Sequence, residues 1–233
     1  MSKLDTRLQS LVEDVRLLNE NHDVCIAAID PWLGIGTRGG LLHRSYQDLQ
    51  FFKAATLDRR VVMGRKTYES LPRRLERRDL IVVSGQANYV REGVTVRPDL
   101  SEALEYHSPA FIAGGGLIYT HYLDWCWSRE QDSFHVLTTF HTDRIEADVH
   151  YPRLEHYGDL DYLEQIVIPA TESDMGITVS LIQVKHTDVL GQPPRVNRFN
   201  QASKLWCHGR QEGHLFFDRA QGQTFSVNHS DLL

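Results

Sequence analysis

The sequence predicts an α/β fold: a mixed, mostly parallel twisted sheet flanked by helices, with an antiparallel hairpin at its C-terminal edge. Three observations carry that expectation. Short continuous apolar runs recur through the middle of the chain, and such runs suit strands covered on both faces. Segments with helical spacing separate them, and repeated strand–helix–strand order calls for parallel crossovers. Later, two apolar runs follow one another with no helix between them, a pattern that an antiparallel hairpin satisfies.

Element by element, Leu4, Leu8, Leu11, Val15 and Leu18 recur at helical spacing, so the chain opens with an amphipathic helix whose stripe must bury against another surface. Ser2 and Asp5 read as its capping pair, and the polar run 19–23 ends it. Strands are expected at 24–29, 60–64, 80–84, 94–96, 110–116 and 134–140. Helices are expected at 45–56, 66–69, 100–107 and 117–123, and the hairpin at 163–170 and 176–186. Gly191-Gln-Pro-Pro194 is a linker signal. Beyond it KLWCH, HLFFD and QTFSV suggest a meander of three short strands. The expected organisation is therefore an N-terminal helix (1–22), a main domain (23–187), and a linker with a small C-terminal extension of short β-strands (188–233).

Composition narrows the classes. The chain has 233 residues, 41% of them hydrophobic and 24% charged, which is ordinary globular usage and not that of a disordered chain. A formal charge of -6 argues against a nucleic-acid binder. No apolar run nears the ~20 residues that span a bilayer, and the N-terminus is charged throughout, unlike a signal peptide. Cys25, Cys126 and Cys207 are dispersed and odd in number; they form neither a disulfide scaffold nor a thiolate zinc site, and fit a reducing, cytoplasmic location. The 12 histidines show no HExxH or Cys/His pairing, so no metal is expected. Nor is there a GxSxG elbow or a GxxxxGK[ST] loop.

Four features carry chemistry. Asp48 shares a helical face with Phe52 and Ala55, beside Leu49. A carboxylate there has a raised pKa suited to acid catalysis, or is the N3 acid of a capping box begun by Ser45. In MGRKTYES a strand gives way to a helix at Arg65, Lys66 and Thr67, where open N–H groups and two cations suit a phosphate; an ordinary strand-to-helix turn is the other reading. FIAGGGLIY places three glycines between strand and helix, for a close ligand approach or for tight helix–sheet packing. Arg78, before LIVVS, either clamps a carboxylate bidentately or is one of several solvated arginines.

In order, CIAAID, Gly34-Ile-Gly36, DLQFFK, VVMGRKTYESLP, IVVS, IAGGGLIY, VLTTF and ADVHYP resemble the dihydrofolate reductase family over about 165 residues. The resemblance implies NADPH-dependent reduction of 7,8-dihydrofolate, with hydride transferred from the nicotinamide to pterin C6 and a proton gained at N5. By that likeness Asp48 is the acid that holds the pterin and promotes protonation. Thr138 supports it, Arg78 binds the glutamate α-carboxylate, and Ile26, Ala27, Leu49, Phe52, Leu71 and Leu75 line the pterin and benzoyl pocket. Ala28, Ile35, Gly36 and Ala113 face the nicotinamide. Gly115, Gly116, Leu117 and Ile118 meet the pyrophosphate, with Tyr119 near the reaction centre. Arg65, Lys66 and Thr67 begin the helix at the phosphates, and Arg65 with Ser84 favours a 2′-phosphate. The likeness also implies a cis Gly114–Gly115 bond.

The chain departs from the family in four places. Leu42-His43 stands where Pro-Trp is usual, Gly85 replaces a second polar residue at the 2′-phosphate, 124–133 reads as an insertion, and the two terminal segments have no counterpart. Two other functions fit the same residues less well. A pyrimidinone-type reductase generally lacks an acid at position 48 and the Arg78 clamp. A weakly catalytic binding or assembly protein would use the terminal extensions for self-association or a protein partner.

Overall fold

The computed structural model describes residues 4–105, 108–187, 214–218 and 223–227. An eight-stranded sheet runs in the order β10-β11-β8-β1-β7-β4-β5-β6. It consists of β1 (Val24–Ile29), β4 (Arg60–Gly64), β5 (Asp79–Val83), β6 (Thr95–Arg97), β7 (Phe111–Ile112), β8 (Ser133–Phe140), β10 (Asp159–Ile168) and β11 (Ile177–Lys185). The pairs β8/β1, β1/β7, β7/β4, β4/β5 and β5/β6 are parallel, while β10/β11 and β11/β8 are antiparallel. The expected mixed sheet with an antiparallel edge hairpin is thus observed.

Side chains alternate along each strand, so each face builds its own core. One face is covered by α1 (Thr6–Leu18) and α2 (Tyr46–Thr56). There Leu8, Leu11, Val15, Phe51 and Ala55 meet Ile26, Val61, Met63, Val136 and Val179. The other face carries α4 (Leu100–Leu104) and α5 (Gly116–Trp127), with Ile118, Tyr122 and Leu123 against Cys25, Val62, Ile112 and Leu137. Helix α3 (Arg65–Ser70) follows β4 directly.

Several boundaries differ from expectation. Helix α1 is capped by Asp5, whose carboxylate accepts the Arg7 N–H at 2.9 Å; the expected cap, Ser2, lies outside the described residues. The 124–133 segment opens as the last turn of α5, which its apolar Trp125, Cys126 and Trp127 extend, so only a short loop precedes β8. A small sheet of β2 (Gly34–Thr37), β3 (Gly40–Leu41) and β9 (Val149–His150) was not expected. Its glycine-rich and polar strands are too short to show a period. Of the tail, β12 (His214–Asp218) and β13 (Gln223–Val227) pair antiparallel. KLWCH, the 191–194 linker and Cys207 lie outside the described residues.

Cys25 and Cys126 are buried free thiols. Among the described residues no His/Cys/Asp/Glu group is placed to hold a metal, and no helix is long and apolar enough to cross a membrane. His135 is a satisfied core residue: Ser133 Oγ lies 2.8 Å from its Nε2 and Tyr151 Oη 2.7 Å from its Nδ1, and burial pushes its pKa down to about 3.

Candidate active site

The site lies at the carboxyl ends of the parallel strands, where open α/β sheets bind ligands. Helix α2 begins there because Ser45, in extended backbone, accepts the Asp48 N–H at 3.3 Å. Asp48 is thus the N3 residue of the capped turn, and its own carboxyl is desolvated. Desolvation lifts that carboxyl from 3.8 to about 6, opposed by a hydrogen bond with the Thr138 hydroxyl and reinforced by the nearby Asp174 carboxylate. Thr138 is buried in β8, paired with Ala28 of β1 and Val179 of β11, so the sheet fixes the hydroxyl that meets the acid.

Asp174 was not anticipated from the sequence. It stands in the β10–β11 turn, and one carboxylate oxygen accepts from Ser45 Oγ at 2.9 Å and from the Gln47 N–H at 3.0 Å. A carboxylate at a helix N-terminus is favoured by the dipole. No local pattern marks this residue, because only the hairpin register brings position 174 to the start of α2.

Ile26, Ala28, Phe52, Leu71, Leu75 and Ala113 all pack on the α2 face of the sheet. Leu49 is 43% exposed, as a side chain on an open crevice would be. Ala27 and Ile35 depart from expectation. Alternation along β1 sends the Ala27 side chain to the opposite core, where Ile35 also packs, so Ala27 offers the crevice its backbone only. Tyr119 is buried, and its hydroxyl donates to Ile26 O at 2.7 Å, tying α5 to β1.

Across the crevice, α3 and α5 open side by side. Gly64 and Gly115 are their N-caps, and neither helix has a side-chain cap. The Gly64 N–H donates to Gly114 O at 2.7 Å. A Cβ added to Gly115 would come within 3.1 Å of Thr67 Oγ1, filling the gap between the two helix starts, and Gly114 has φ +107, a conformation that favours glycine. The Gly114–Gly115 bond is cis. Gly36 lies in β2 beside this region, Gly116 and Leu117 begin α5, and Leu117 is 61% exposed. Two uncapped helix N-termini with Lys66 and Thr67 form a cradle that fits a pyrophosphate.

At the rim, Ser84 is buried just beyond β5. Arg65 does not stand free: its Nη1 bonds Glu69 Oε2 at 2.7 Å. Arg91, missed from the sequence, lies 3.6 Å from the other Glu69 oxygen, with its guanidinium 4.8 Å from the Tyr89 ring centroid. Glu69 thus holds two guanidiniums together. His43 packs beside Phe140, with ring centroids 5.1 Å apart. Desolvation holds its imidazole below the usual range, opposed by the Asp30 carboxylate.

Arg78 is anchored on the last turn of α2. Its Nη2 donates to Lys53 O at 2.9 Å, Nε and Nη2 share Thr56 Oγ1 at 3.3 Å, and Nη1 donates to Glu76 O at 2.6 Å. Nη1 carries two N–H groups, and Glu76 O takes one of them.

These features define an α/β protein whose strand ends gather two helix starts without side-chain caps and the raised Asp48 carboxyl. A family model for dihydrofolate reductase matches residues 24–165. The chain is 38% identical over 130 residues to dihydrofolate reductase type 3 of Salmonella typhimurium, covering 54% of this chain and 75% of that protein. It is 30% identical over 170 residues to the dihydrofolate reductase of Schistosoma mansoni, covering 65% and 87%. Among solved structures, the Enterococcus faecalis dihydrofolate reductase complexed with NADP(H) and RAB-propyl superposes with a TM-score of 0.62, at 23% identity, over 72% of this chain and 98% of that one. The chain belongs to the dihydrofolate reductase family, and with it to the oxidoreductases.

Proposed function

We propose that the chain catalyses NADPH-dependent reduction of 7,8-dihydrofolate to 5,6,7,8-tetrahydrofolate. The observation that carries this reading is the desolvated Asp48 carboxyl, titrating near 6 against the Thr138 hydroxyl. Its two oxygens match the N3–H and 2-amino groups of a pterin, a bidentate pairing. A carboxyl poised near neutrality supports protonation at N5. When bound, NADPH supplies the hydride that reaches C6. The chain's own residues do the rest: Ile26, Leu49 and Phe52 exclude water from the pterin, Tyr119 fixes β1 against α5, and Arg78 takes the glutamate α-carboxylate. The α3 and α5 starts hold the pyrophosphate.

The test is loss of nicotinamide absorbance when the protein is mixed with NADPH and dihydrofolate, with NADH in parallel. Turnover with NADPH is expected; NADPH binding without turnover would overturn the reading.

Two expectations follow from neighbouring charges. Because the Asp174 carboxylate adds to the rise at Asp48, Asp174→Asn lowers the Asp48 pKa. The descending limb of kcat/KM against pH then moves to more acidic pH, and an unmoved limb would show that the Asp174 charge does not reach Asp48. On the cofactor side, Arg65→Ala is expected to lower the preference for NADPH over NADH by roughly 10- to 100-fold, the scale of losing a charge-assisted contact to a 2′-phosphate. Equal losses with both cofactors would remove Arg65 from that role.

A further inference from the structure

Helix α1 precedes the family match, which begins at residue 24, and it lies alongside α2, tied to it at both ends. At the start, the Asp5 N–H donates to Gln47 Oε1 at 3.1 Å. Between the ends, Leu8, Leu11 and Val15 are fully buried in one cluster with Phe51 and Ala55. At the far end, Arg16 Nη1 lies 3.1 Å from Ala54 O, 3.2 Å from Ala55 O and 2.8 Å from Leu57 O.

That last contact meets a specific need. A helix leaves its final carbonyls without intrahelical partners, and the usual remedy is a glycine in left-handed backbone that folds the chain back. Helix α2 has no glycine there: its C-cap, Leu57, is extended, with φ -61 and ψ 130, Asp58 takes the left-handed position at φ 57, and the Asp58 N–H donates to Arg77 O and not back to the helix. Two arginines from distant parts of the chain close the turn instead. Arg16 covers Ala54, Ala55 and Leu57, and Arg78 covers Lys53. The Arg59 N–H takes the remaining Thr56 O at 3.1 Å, and Arg59 Nη2 lies 3.4 Å from Arg16 O. The Thr56 hydroxyl, which Arg78 also grips, donates to Phe52 O at 2.7 Å. A groove of about 780 Å³ is lined by Asn19 and Glu20 from the end of α1 together with Arg59 and Arg78.

We infer that Arg16 is a positioning residue for Arg78: by closing the last turn of α2 it leaves the Arg78 Nη1 N–H that Glu76 O does not take to receive the carboxylate tail of the substrate. This rests on the assignment of Arg78 in the proposed function. Without Arg16, three carbonyls at the negative end of α2 lose their donor, and Arg78, which already donates to Lys53 O in that turn, is together with Arg59 a cation that can turn to them. Drawn onto those carbonyls, Arg78 would no longer present that Nη1 N–H to a ligand. The N-terminal helix thus sets affinity for the tail and not for the pterin.

The experiment compares the full-length chain with Arg16→Met, Arg16→Lys and Arg78→Leu, using dihydrofolate and a dihydropterin that lacks the benzoylglutamate tail. For Arg16→Met the KM for dihydrofolate is expected to rise roughly 5- to 10-fold, the range for losing hydrogen bonds from a charged donor. Its kcat, the KM for NADPH and the KM for the tail-less dihydropterin stay unchanged. Arg16→Lys, which keeps the charge and some of the donors, recovers part of the loss and guards against misfolding of the methionine variant. In the double variant with Arg78→Leu, the Arg16→Met effect disappears. A parallel rise for both substrates, or an unchanged KM for dihydrofolate, overturns the inference while leaving Arg78's role intact. If Arg78→Leu itself leaves the KM for dihydrofolate unchanged, the tail-binding assignment falls and takes the inference with it.

Discussion

Replacing Asp48 by asparagine is expected to lower turnover with dihydrofolate at neutral pH by two to four orders of magnitude, the range for removing a positioned acid, and at the same time to stabilise the fold. Both effects have one cause. Burial holds the carboxyl near 6 where an unfolded chain would hold it near 3.8, so the folded state binds a proton that the unfolded state releases. The penalty for keeping Asp48 ionised is absent below about pH 4, grows between the two values, and is complete above about pH 6, where it reaches about 3 kcal/mol. Asparagine resembles the protonated acid in shape and carries no charge. The melting temperature of Asp48→Asn should therefore exceed that of the natural chain at pH 8 and converge with it near pH 4. The activity profile should change as well: kcat/KM of the natural chain falls as pH rises through the Asp48 pKa, and the variant lacks that limb. Near-normal turnover in the variant would remove Asp48 from the chemistry. A stability difference that does not grow with pH would show that the carboxyl is not ionised in a desolvated setting.

Much of this site was legible because its signals are local. Asp48 shares a helical face with Phe52 and Ala55, so an acid on an apolar stripe was visible within a few residues. The glycine triplet marks a place where backbone and ligand approach closely, and Gly114 does take a conformation that side chains avoid. The illegible parts are set by register between distant segments. Asp174 reaches the start of α2 from a hairpin turn 126 residues away in sequence from Asp48, and Arg91 meets Glu69 across a loop. The family pattern placed Ala27 in the pocket, but the two-residue period of β1 turns its side chain to the other core. Helix α1 was visible as an amphipathic stripe, whereas Arg16, on its polar side, gave no sign that it closes another helix. Periodicity reports which face is buried and not which carbonyls a long cation will find.

Arg78→Leu is expected to raise the KM for dihydrofolate by roughly 30- to 300-fold while leaving kcat within about threefold, a loss of about 2–3 kcal/mol for a charge-assisted pair. The division between the two constants follows from where the residue sits. Arg78 is held at the end of α2 by Lys53 O and Thr56 Oγ1, whereas Asp48 is in the first turn of the same helix. With a rise of about 1.5 Å per residue, Lys53 lies about 7.5 Å along α2 from Asp48, just under half the helix, so the α-carboxylate is bound away from C6 and N5. A contact of that kind is made equally in the ground state and the transition state, and its removal weakens binding without touching the chemical step. Leucine also leaves Lys53 O without its donor, so the end of α2 should loosen. Melting of the variant checks that this loosening stays local. Substrate truncation separates the two effects: with a dihydropterin lacking the tail, Arg78→Leu and the natural chain should show the same kcat/KM. If the variant loses as much on the truncated substrate as on dihydrofolate, Arg78 acts by supporting the helix that carries Asp48 and not by binding the tail.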